Sequence, residues 1–163
     1  MMSLSATAKP LDAPSLKSKR IKMENRRRLT THLASLEAPP LMDHTRKPNG
    51  RRISPYYVLC FPATNQSDIL YANRHQISLN EKRGIREDDA WDHLLRTFAL
   101  RFPGKNVTIV KTGPREEPFA VTVASNRTMK ELGKANDVDE ILAVMDYLGT
   151  DELPNWYKAV KSR

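Results

Sequence analysis

The chain has 163 residues, which is enough for one domain or for one domain with a tail. Its formal net charge of +8 makes nucleic acid and anionic membrane surfaces the first partners to consider. A single cysteine, Cys60, forms no internal disulfide, which argues against a secreted, disulfide-stapled scaffold. No apolar run reaches the roughly 20 residues that a transmembrane helix requires, so we expect no membrane span.

The positive charge is concentrated at the amino end of the sequence. Residues 1–52 hold twelve basic and four acidic side chains, which is the whole excess of +8, whereas residues 53–163 hold fifteen of each. We therefore predict a basic arm and linker over residues 1–52 and a compact domain over residues 53–163.

The amino-terminal residues form no apolar signal-peptide core, because Ser, Ala, Lys and Pro interrupt them. We therefore expect an intracellular protein of the nucleus or the cytoplasm. A mitochondrial transit peptide is the alternative, since the first 23 residues hold one acid, Asp12, although their bases are mostly Lys rather than Arg.

The arm is predicted to begin as a disordered segment and to continue as a helix. Residues 1–16 are small, polar and interrupted by proline, which is typical of disorder. Residues 15–37 lack Gly and Pro and place leucines at helical spacing, and Pro39 ends this pattern. The leucines on that face are Leu29, Leu33 and Leu36.

The compact domain is predicted to begin with a strand. Residues 56–61 form an apolar, β-prone run between Pro55 and Pro62, which is typical of a buried strand. Residues 68–79 alternate weakly around Asn73, and we expect two short strands there with a turn between them.

An amphipathic helix and a β-hairpin are predicted next. The helix is capped by Asp88 or Asp89 and ends before Pro103. Its apolar stripe consists of Trp91, Leu94, Leu95, Phe98 and Phe102. Residues 107–109 and 119–124 alternate with period two around a turn-rich loop, which predicts the hairpin.

A second amphipathic helix is predicted near the carboxyl end. Residues 126–135 fit either a third strand or a short helix. Asp137, with Glu140 three residues on, resembles a capping box, and Gly149 supplies the stop. The inward residues are Val138, Ile141, Leu142, Met145 and Leu148. One last turn is expected after Pro154.

The fold class is α+β: a small antiparallel sheet with two packed amphipathic helices, preceded by a basic, partly helical or disordered arm.

The order of elements in residues 89–148 resembles the double-stranded-RNA-binding domain: a helix, a hairpin with Gly113–Pro114 in its loop, and a second helix. The resemblance implies recognition of A-form RNA through its phosphates and minor groove. The family's last helix begins with a lysine cluster, whereas residues 136–140 here are acidic, with only Lys130 and Lys134 nearby. This departure favours a protein-binding role as one alternative, and an ordinary small α+β domain is another.

The basic arm is predicted to bind phosphates. Each base that pairs with a phosphate releases a counterion, which gives salt-sensitive affinity without sequence preference. Residues 1–52 contain no aromatic side chain, so base stacking would have to come from the compact domain. The candidate contacts are Lys17, Lys19, Arg20, Lys22, Arg26, Arg27, Arg28, Arg46, Arg51 and Arg52. Alternatives for the arm are a solubilising tail, a nuclear import signal at residues 17–20 and a membrane-surface helix.

We expect neither catalysis nor a metal or other cofactor. Cys60 lies in an apolar run, where a thiol is usually an inert core residue, and no motif links it to His75 or His93. The acids of residues 87–92 are explained by the start of a helix, and the two histidines of the arm have no Cys partner for zinc.

A partner surface is expected near the carboxyl end, at Trp156, Tyr157 and Lys158, with core packing of Trp156 as the alternative.

The sequence as a whole predicts a nucleic-acid-associated, non-catalytic accessory protein, with RNA favoured over DNA. One alternative is a self-associating structural protein, such as a viral matrix or coat subunit, whose arm meets a genome or an anionic membrane. Another is a protein-interaction adaptor whose arm is an import signal.

Overall fold

The described chain contains five α-helices and four strands. The computed structural model describes residues 15–42, 48–50, 55–77 and 86–160, with the side chains of its third helix from residue 89 onward. The helices are α1 (Leu16–Ser35), α2 (Asn65–Arg74), α3 (Arg86–Arg101), α4 (Met129–Gly133) and α5 (Val138–Leu148). The strands are β1 (Tyr57–Pro62), β2 (Val107–Lys111), β3 (Phe119–Ser125) and β4 (Asn155–Ala159). The predicted domain boundary at residue 53 lies outside the described residues, as do residues 1–14 of the predicted disordered segment.

The four strands close into an antiparallel barrel in the order β1-β3-β2-β4. β1 pairs with β3 and β4, and β2 pairs with the same two strands, so each strand has two neighbours and no free edge. The register of β1 against β3 shifts between Leu59 and Cys60, so that Val123 has no opposite residue. Such a β-bulge bends its strand and helps so small a sheet to close.

Small side chains fill the inside of the barrel. Because side chains alternate along a strand, every second residue points inward, and four strands enclose little space. The buried interior residues are Val58, Cys60, Val110, Ala120 and Ala159. Tyr56 and Tyr157 pack against this cluster and are partly buried.

The main hydrophobic core lies between the outer face of the barrel and the helices. Leu59, Phe61 and Val121 point outward from the barrel and belong to this core. The helices contribute Leu29 of α1, Tyr71 of α2, Phe98 of α3, and Ile141 and Val144 of α5.

Several predicted elements are confirmed. The strand after Pro55, the hairpin of β2 with β3 and the helix of the arm lie within two residues of their expected positions, and residues 129–133 adopt the short-helix alternative. At the start of α5, Asp137 Oδ1 accepts a hydrogen bond from the Glu140 N–H at 3.1 Å. Gly149 ends α5 with φ of 69°, and a Cβ there would lie 3.0 Å from the Leu70 carbonyl oxygen, so the position requires glycine.

The first of the two short strands predicted at residues 68–79 is wrong, and the second lies mostly outside the described residues, which stop at Ile77 and resume at Arg86. Residues 65–74 form α2, and a reciprocal cap stabilises its first turn. Thr64 Oγ1 accepts from the Ser67 N–H at 3.1 Å, and Ser67 Oγ accepts from the Thr64 N–H at 2.7 Å. A strand would place Ile69 and Tyr71 on the same face. In the helix they lie on opposite sides, with Ile69 exposed and Tyr71 buried.

Three smaller predictions also need correction. α3 begins at Arg86, so Asp88 and Asp89 lie within its first turns and do not precede them. Leu95, which was assigned to the buried stripe of α3, is 50 % exposed. The segment after Pro154 is strand β4, not a helical turn, because it closes the barrel between β1 and β2.

The α+β class is confirmed in its coarse form, since helices pack on an antiparallel sheet. The sheet closes on itself, however, and four helices, rather than two, supply residues to the core. One of these four is the helix of the arm, whose Leu29 is fully buried.

Asn126 joins segments that lie far apart in the sequence. Its side chain is fully buried, and its Nδ2 donates to the carbonyl oxygens of Pro40 at 2.9 Å and Pro55 at 3.1 Å. Its Oδ1 accepts from the Tyr57 N–H at 2.8 Å, and its backbone oxygen accepts from the Met42 N–H at 2.7 Å. The chain that follows α1 is thereby fastened beside the start of β1.

Asn126→Asp should destabilise the fold strongly. The carboxylate keeps the acceptor but loses both donors, and it faces two carbonyl oxygens in a buried site. We expect urea denaturation to give an unfolding free energy lower by about 3 kcal/mol. The matched control is Asn136→Asp at an exposed position, where the change should stay within ~0.5 kcal/mol. Equal effects of the two substitutions would contradict the role given to Asn126.

Candidate functional site

Helix α1 is anchored to the rest of the protein by its carboxyl-terminal half. Leu29 is fully buried, Leu33 and Leu36 pack against the main core, and His32 Nε2 lies 2.7 Å from the Pro154 carbonyl oxygen. Towards its amino end the helix is exposed, and Leu16 is 82 % accessible. The seven predicted contact bases between Lys17 and Arg28 are therefore carried on a helix with one end fixed and the other open to solvent.

The bases of α1 fall on two sides of the helix. With 100° between successive residues, one group points away from the buried Leu29, and its members are Lys17, Arg20, Arg27 and Arg28. We call these four residues the outer basic face. All four are exposed, and among the described residues none has an ion pair with a carboxylate. Glu24, the single acid of α1, lies on the same side of the helix, four residues from both Arg20 and Arg28.

The second group faces α5. Lys22 and Arg26 line a groove of about 840 Å³ between α1, α5 and the end of α2, and Lys19 lies on the same side of α1. Arg26 forms an ion pair with Asp139 of α5. Asp146 pairs with Arg74 of α2 at 3.0 Å in the same groove. The groove therefore carries charges of both signs, and the outer basic face carries the unbalanced positive charge.

The remaining predicted bases, Arg46, Arg51 and Arg52, lie outside the described residues.

The predicted partner surface at the carboxyl end is divided between the two faces of β4. Trp156 points outward from the barrel and packs against the main core, and Tyr157 packs against the barrel interior. Lys158 points outward and is exposed. The side chain of Tyr157 is therefore separated from those of Trp156 and Lys158 by the sheet itself.

A Tyr–His cluster connects α2, α3 and α5, and the sequence analysis missed it. The Tyr71 hydroxyl lies 2.8 Å from His93 Nδ1 and 3.4 Å from the Tyr147 hydroxyl, which also contacts the Thr97 hydroxyl. His75 stacks on Tyr71 with 4.3 Å between ring centroids, and its Nε2 lies 2.6 Å from the Tyr147 carbonyl oxygen. The capping box of Thr64 and Ser67 was the available signal, because a helix there turns Tyr71 and His75 to one side.

The cluster shifts the protonation of two of its members. Burial lowers the pKa of His93, and the positive charges of His75 and Arg96 lower it further. Burial raises the pKa of Tyr71, which keeps this hydroxyl protonated as a hydrogen-bond donor. The hydrogen bonds of Tyr71, His93 and Tyr147 join the three helices, so we assign the cluster a structural role.

Acid should weaken the fold through His93. The unfolded state takes up a proton near pH 6.5, whereas the folded state resists it to lower pH, so the unfolding free energy falls as the pH drops below about 6.5. His93→Gln should make this decline shallower, and Arg96→Gln should do so to a smaller extent. Urea denaturation between pH 5 and 8 measures the effect, and identical pH profiles for wild type and His93→Gln would contradict it.

Cys60 lies inside the barrel, on the opposite face of β1 from the helices that carry His75 and His93. The structure therefore does not bring the thiol and the two imidazoles together. Burial raises the pKa of the Cys60 thiol to about 12, so hardly any reactive thiolate is present at neutral pH.

Cys60 should react with a thiol reagent only when the protein unfolds. At pH 8 we expect Ellman's reagent to label native protein at least about a hundredfold more slowly than protein in guanidinium chloride, because the thiol is both buried and protonated. Thr31→Cys places a second thiol on an exposed position of α1 and should label at once. Fast labelling of wild-type Cys60 would show that the barrel opens readily.

Lys105 is a buried base in the connection between α3 and β2. Its side chain is 3 % exposed, Nζ donates to the Val123 carbonyl oxygen at 2.9 Å, and Glu140 Oε1 lies 3.2 Å away. These two partners neutralise the ammonium where β3 and α5 meet. Lys105 is therefore fully used by the fold and is not a candidate for binding.

Neither protein-family models, nor curated proteins, nor solved structures match this chain. Among the described residues, no three His, Cys, Asp or Glu side chains are grouped as metal ligands. In the same part of the chain, no helix has the length and apolar character needed to cross a bilayer.

Proposed function

We propose that this is a non-catalytic, nucleic-acid-associated protein that binds the phosphate backbone through the outer basic face of α1. The observation that carries the proposal is the exposure of four bases on one side of an anchored helix. Arginine supports it further, because its planar guanidinium donates two hydrogen bonds to one phosphate. A fixed helix also presents these charges at lower entropic cost than a flexible tail.

The dimensions of α1 suit such a contact. At 1.5 Å of rise per residue, the span from Lys17 to Arg28 is roughly 16 Å, or about five steps of 3.4 Å along a duplex. Neighbouring bases point in different directions, so the helix would enter a groove and meet phosphates on both sides of it.

RNA is the proposed partner in preference to DNA, on the resemblance of residues 89–148 to the double-stranded-RNA-binding domain. In this chain the acids at the start of α5 have other partners. Asp137 caps α5, and Asp139 pairs with Arg26 of α1. We infer that α1, packed beside this position, takes over the phosphate contacts that the lysine cluster makes in that family.

The test is a charge-removal variant of the full chain, Lys17→Ala with Arg20→Ala, Arg27→Ala and Arg28→Ala. Each duplex phosphate that the variant no longer neutralises lowers the slope of log affinity against log salt by about 0.9, so we expect a decrease of up to roughly 3.6 and weaker binding at low salt. Titrations over sodium chloride against duplex RNA, single-stranded RNA and duplex DNA measure it. Circular dichroism and the urea midpoint should be unchanged, since the four side chains are exposed.

The matched control removes four exposed bases elsewhere: Arg96, Arg101, Arg115 and Lys130. It lowers the net charge equally and should retain most of the affinity. Equal losses of affinity in both variants would show that affinity depends on overall charge and not on the outer basic face, and this would overturn the proposal. Preference of wild type for phosphatidylserine vesicles over every nucleic acid would identify the arm as a membrane-surface helix instead.

A self-associating assembly protein is the second candidate. It is favoured by large apolar side chains that the described surface leaves exposed, among them Leu16 and Met23 on one side of α1 and Phe119 on β3. Defined oligomers in light scattering, unaffected by removal of the outer basic face, would support this candidate.

A further inference from the structure

Three side chains form a row across the outer face of the barrel. Lys158 of β4 lies directly opposite Tyr57 of β1 on one side and Lys111 of β2 on the other. Directly opposite residues of antiparallel strands point to the same face. Val110 and Ala159, which adjoin Lys111 and Lys158 in the chain, point into the barrel. The two lysines therefore point outward, and so does Tyr57, which lies directly opposite Lys158.

The row brings two positive charges together with nothing in the described structure to balance them. Both lysines are exposed, and among the described residues neither has an ion pair. The adjoining hairpin loop, which the structure describes in full, holds two acids, Glu116 and Glu117, and neither forms an ion pair with these lysines. Glu116 accepts a hydrogen bond from the Thr112 hydroxyl at 3.2 Å. Like charges directly opposite each other destabilise a sheet, so the pair costs the fold stability. A bound anion would remove that cost.

The ring of Tyr57 adds a second kind of contact. It is partly buried and lies directly opposite Lys158. An aromatic side chain on a sheet surface offers a face on which a base stacks, and the basic neighbours then hold the flanking phosphates. The sequence analysis placed Tyr157 beside Lys158 for this purpose, but β4 turns Tyr157 into the barrel, and β1 supplies Tyr57 in its place.

We propose that Tyr57, Lys158 and Lys111 form a second contact for nucleic acid, specific for a single-stranded segment, with one base on Tyr57 and adjacent phosphates on the two lysines. The proposal rests on the proposed function and adds to it the form of nucleic acid that the body of the protein accepts. The row spans two inter-strand spacings, about 10 Å, which suits a short unpaired segment. A duplex would keep its bases stacked on one another and out of reach of Tyr57.

The experiment uses the full chain and a fluorescent 15-nucleotide oligo(U). Lys111→Ala with Lys158→Ala should lower the salt slope by roughly 1.4, because each phosphate contact to a single strand contributes about 0.7. Tyr57→Leu should lower affinity about fivefold or more, whereas Tyr57→Phe, which keeps the ring, should bind like wild type. Arg96→Ala with Lys130→Ala removes two exposed charges elsewhere and should have little effect.

Lys158→Glu separates binding from folding. It turns the like-charge pair with Lys111 into an opposite-charge pair, so the urea midpoint should stay or rise while the affinity for oligo(U) falls. A parallel loss of stability and affinity would mean that the row is structural and would overturn the proposal. So would equal binding by Tyr57→Leu and Tyr57→Phe, since base stacking would then be absent.

The variant without the outer basic face distinguishes the two proposals. If it loses affinity while the row variants bind like wild type, the row is not a contact and the proposed function stands. If the row variants lose affinity and the α1 variant does not, the result supports the contact at the row and contradicts the proposed role of α1. If wild type binds no oligonucleotide, both proposals are overturned. If the row variants weaken binding to anionic vesicles but not to oligonucleotides, the lysines contact a lipid surface instead.

Discussion

β1 and β2 each pair with both β3 and β4, so the four strands form a closed barrel in which every edge is occupied. Closure has two consequences for the rest of the structure. The interior is so narrow that it accepts only side chains such as Cys60 and Ala120, which removes the thiol from any chemistry. Apart from Tyr157, which packs against the barrel interior, the large side chains of the strands point outward. The helices cover part of this outer surface and leave the row at Lys111 and Lys158 in solvent.

The position of α1 follows from the same arrangement. Leu29 reaches the core between barrel and helices, and Asn126 at the end of β3 holds the chain that leaves α1. Asp139 of α5 pairs with Arg26 on the near side of α1. Asp139 thus neutralises Arg26 on the near side, whereas the four bases of the outer basic face have no ion pair with a carboxylate among the described residues. The exposure of these bases on a single fixed helix is the observation behind the proposed binding of nucleic acid.

Two surfaces of different chemistry emerge from this organisation. The outer basic face consists of charge alone, and it suits a phosphate backbone of any sequence. The row on the barrel combines a ring with two charges, and it suits an unpaired base with its phosphates. The Tyr–His cluster of α2, α3 and α5 has neither character, since Tyr71, His75 and His93 contact each other and the backbone. The contacts of this cluster hold the three helices together.

The sequence alone predicted the elements whose signals are local: the helix of α1, the hairpin of β2 and β3, and the capped helix α5. It also predicted that the bases lie at the amino end, because charge can be counted without knowing the fold. The strand predicted from the weak alternation at Ile69 and Tyr71 is wrong, since alternation and a capped helix are hard to distinguish over so short a segment. Only the tertiary structure decided that Tyr57, and not Tyr157, lies beside Lys158, that Lys105 is buried, and which bases of α1 are neutralised. Each of these depends on strand register or helix packing between residues far apart in the chain, and no local pattern of amino acids encodes such long-range contacts.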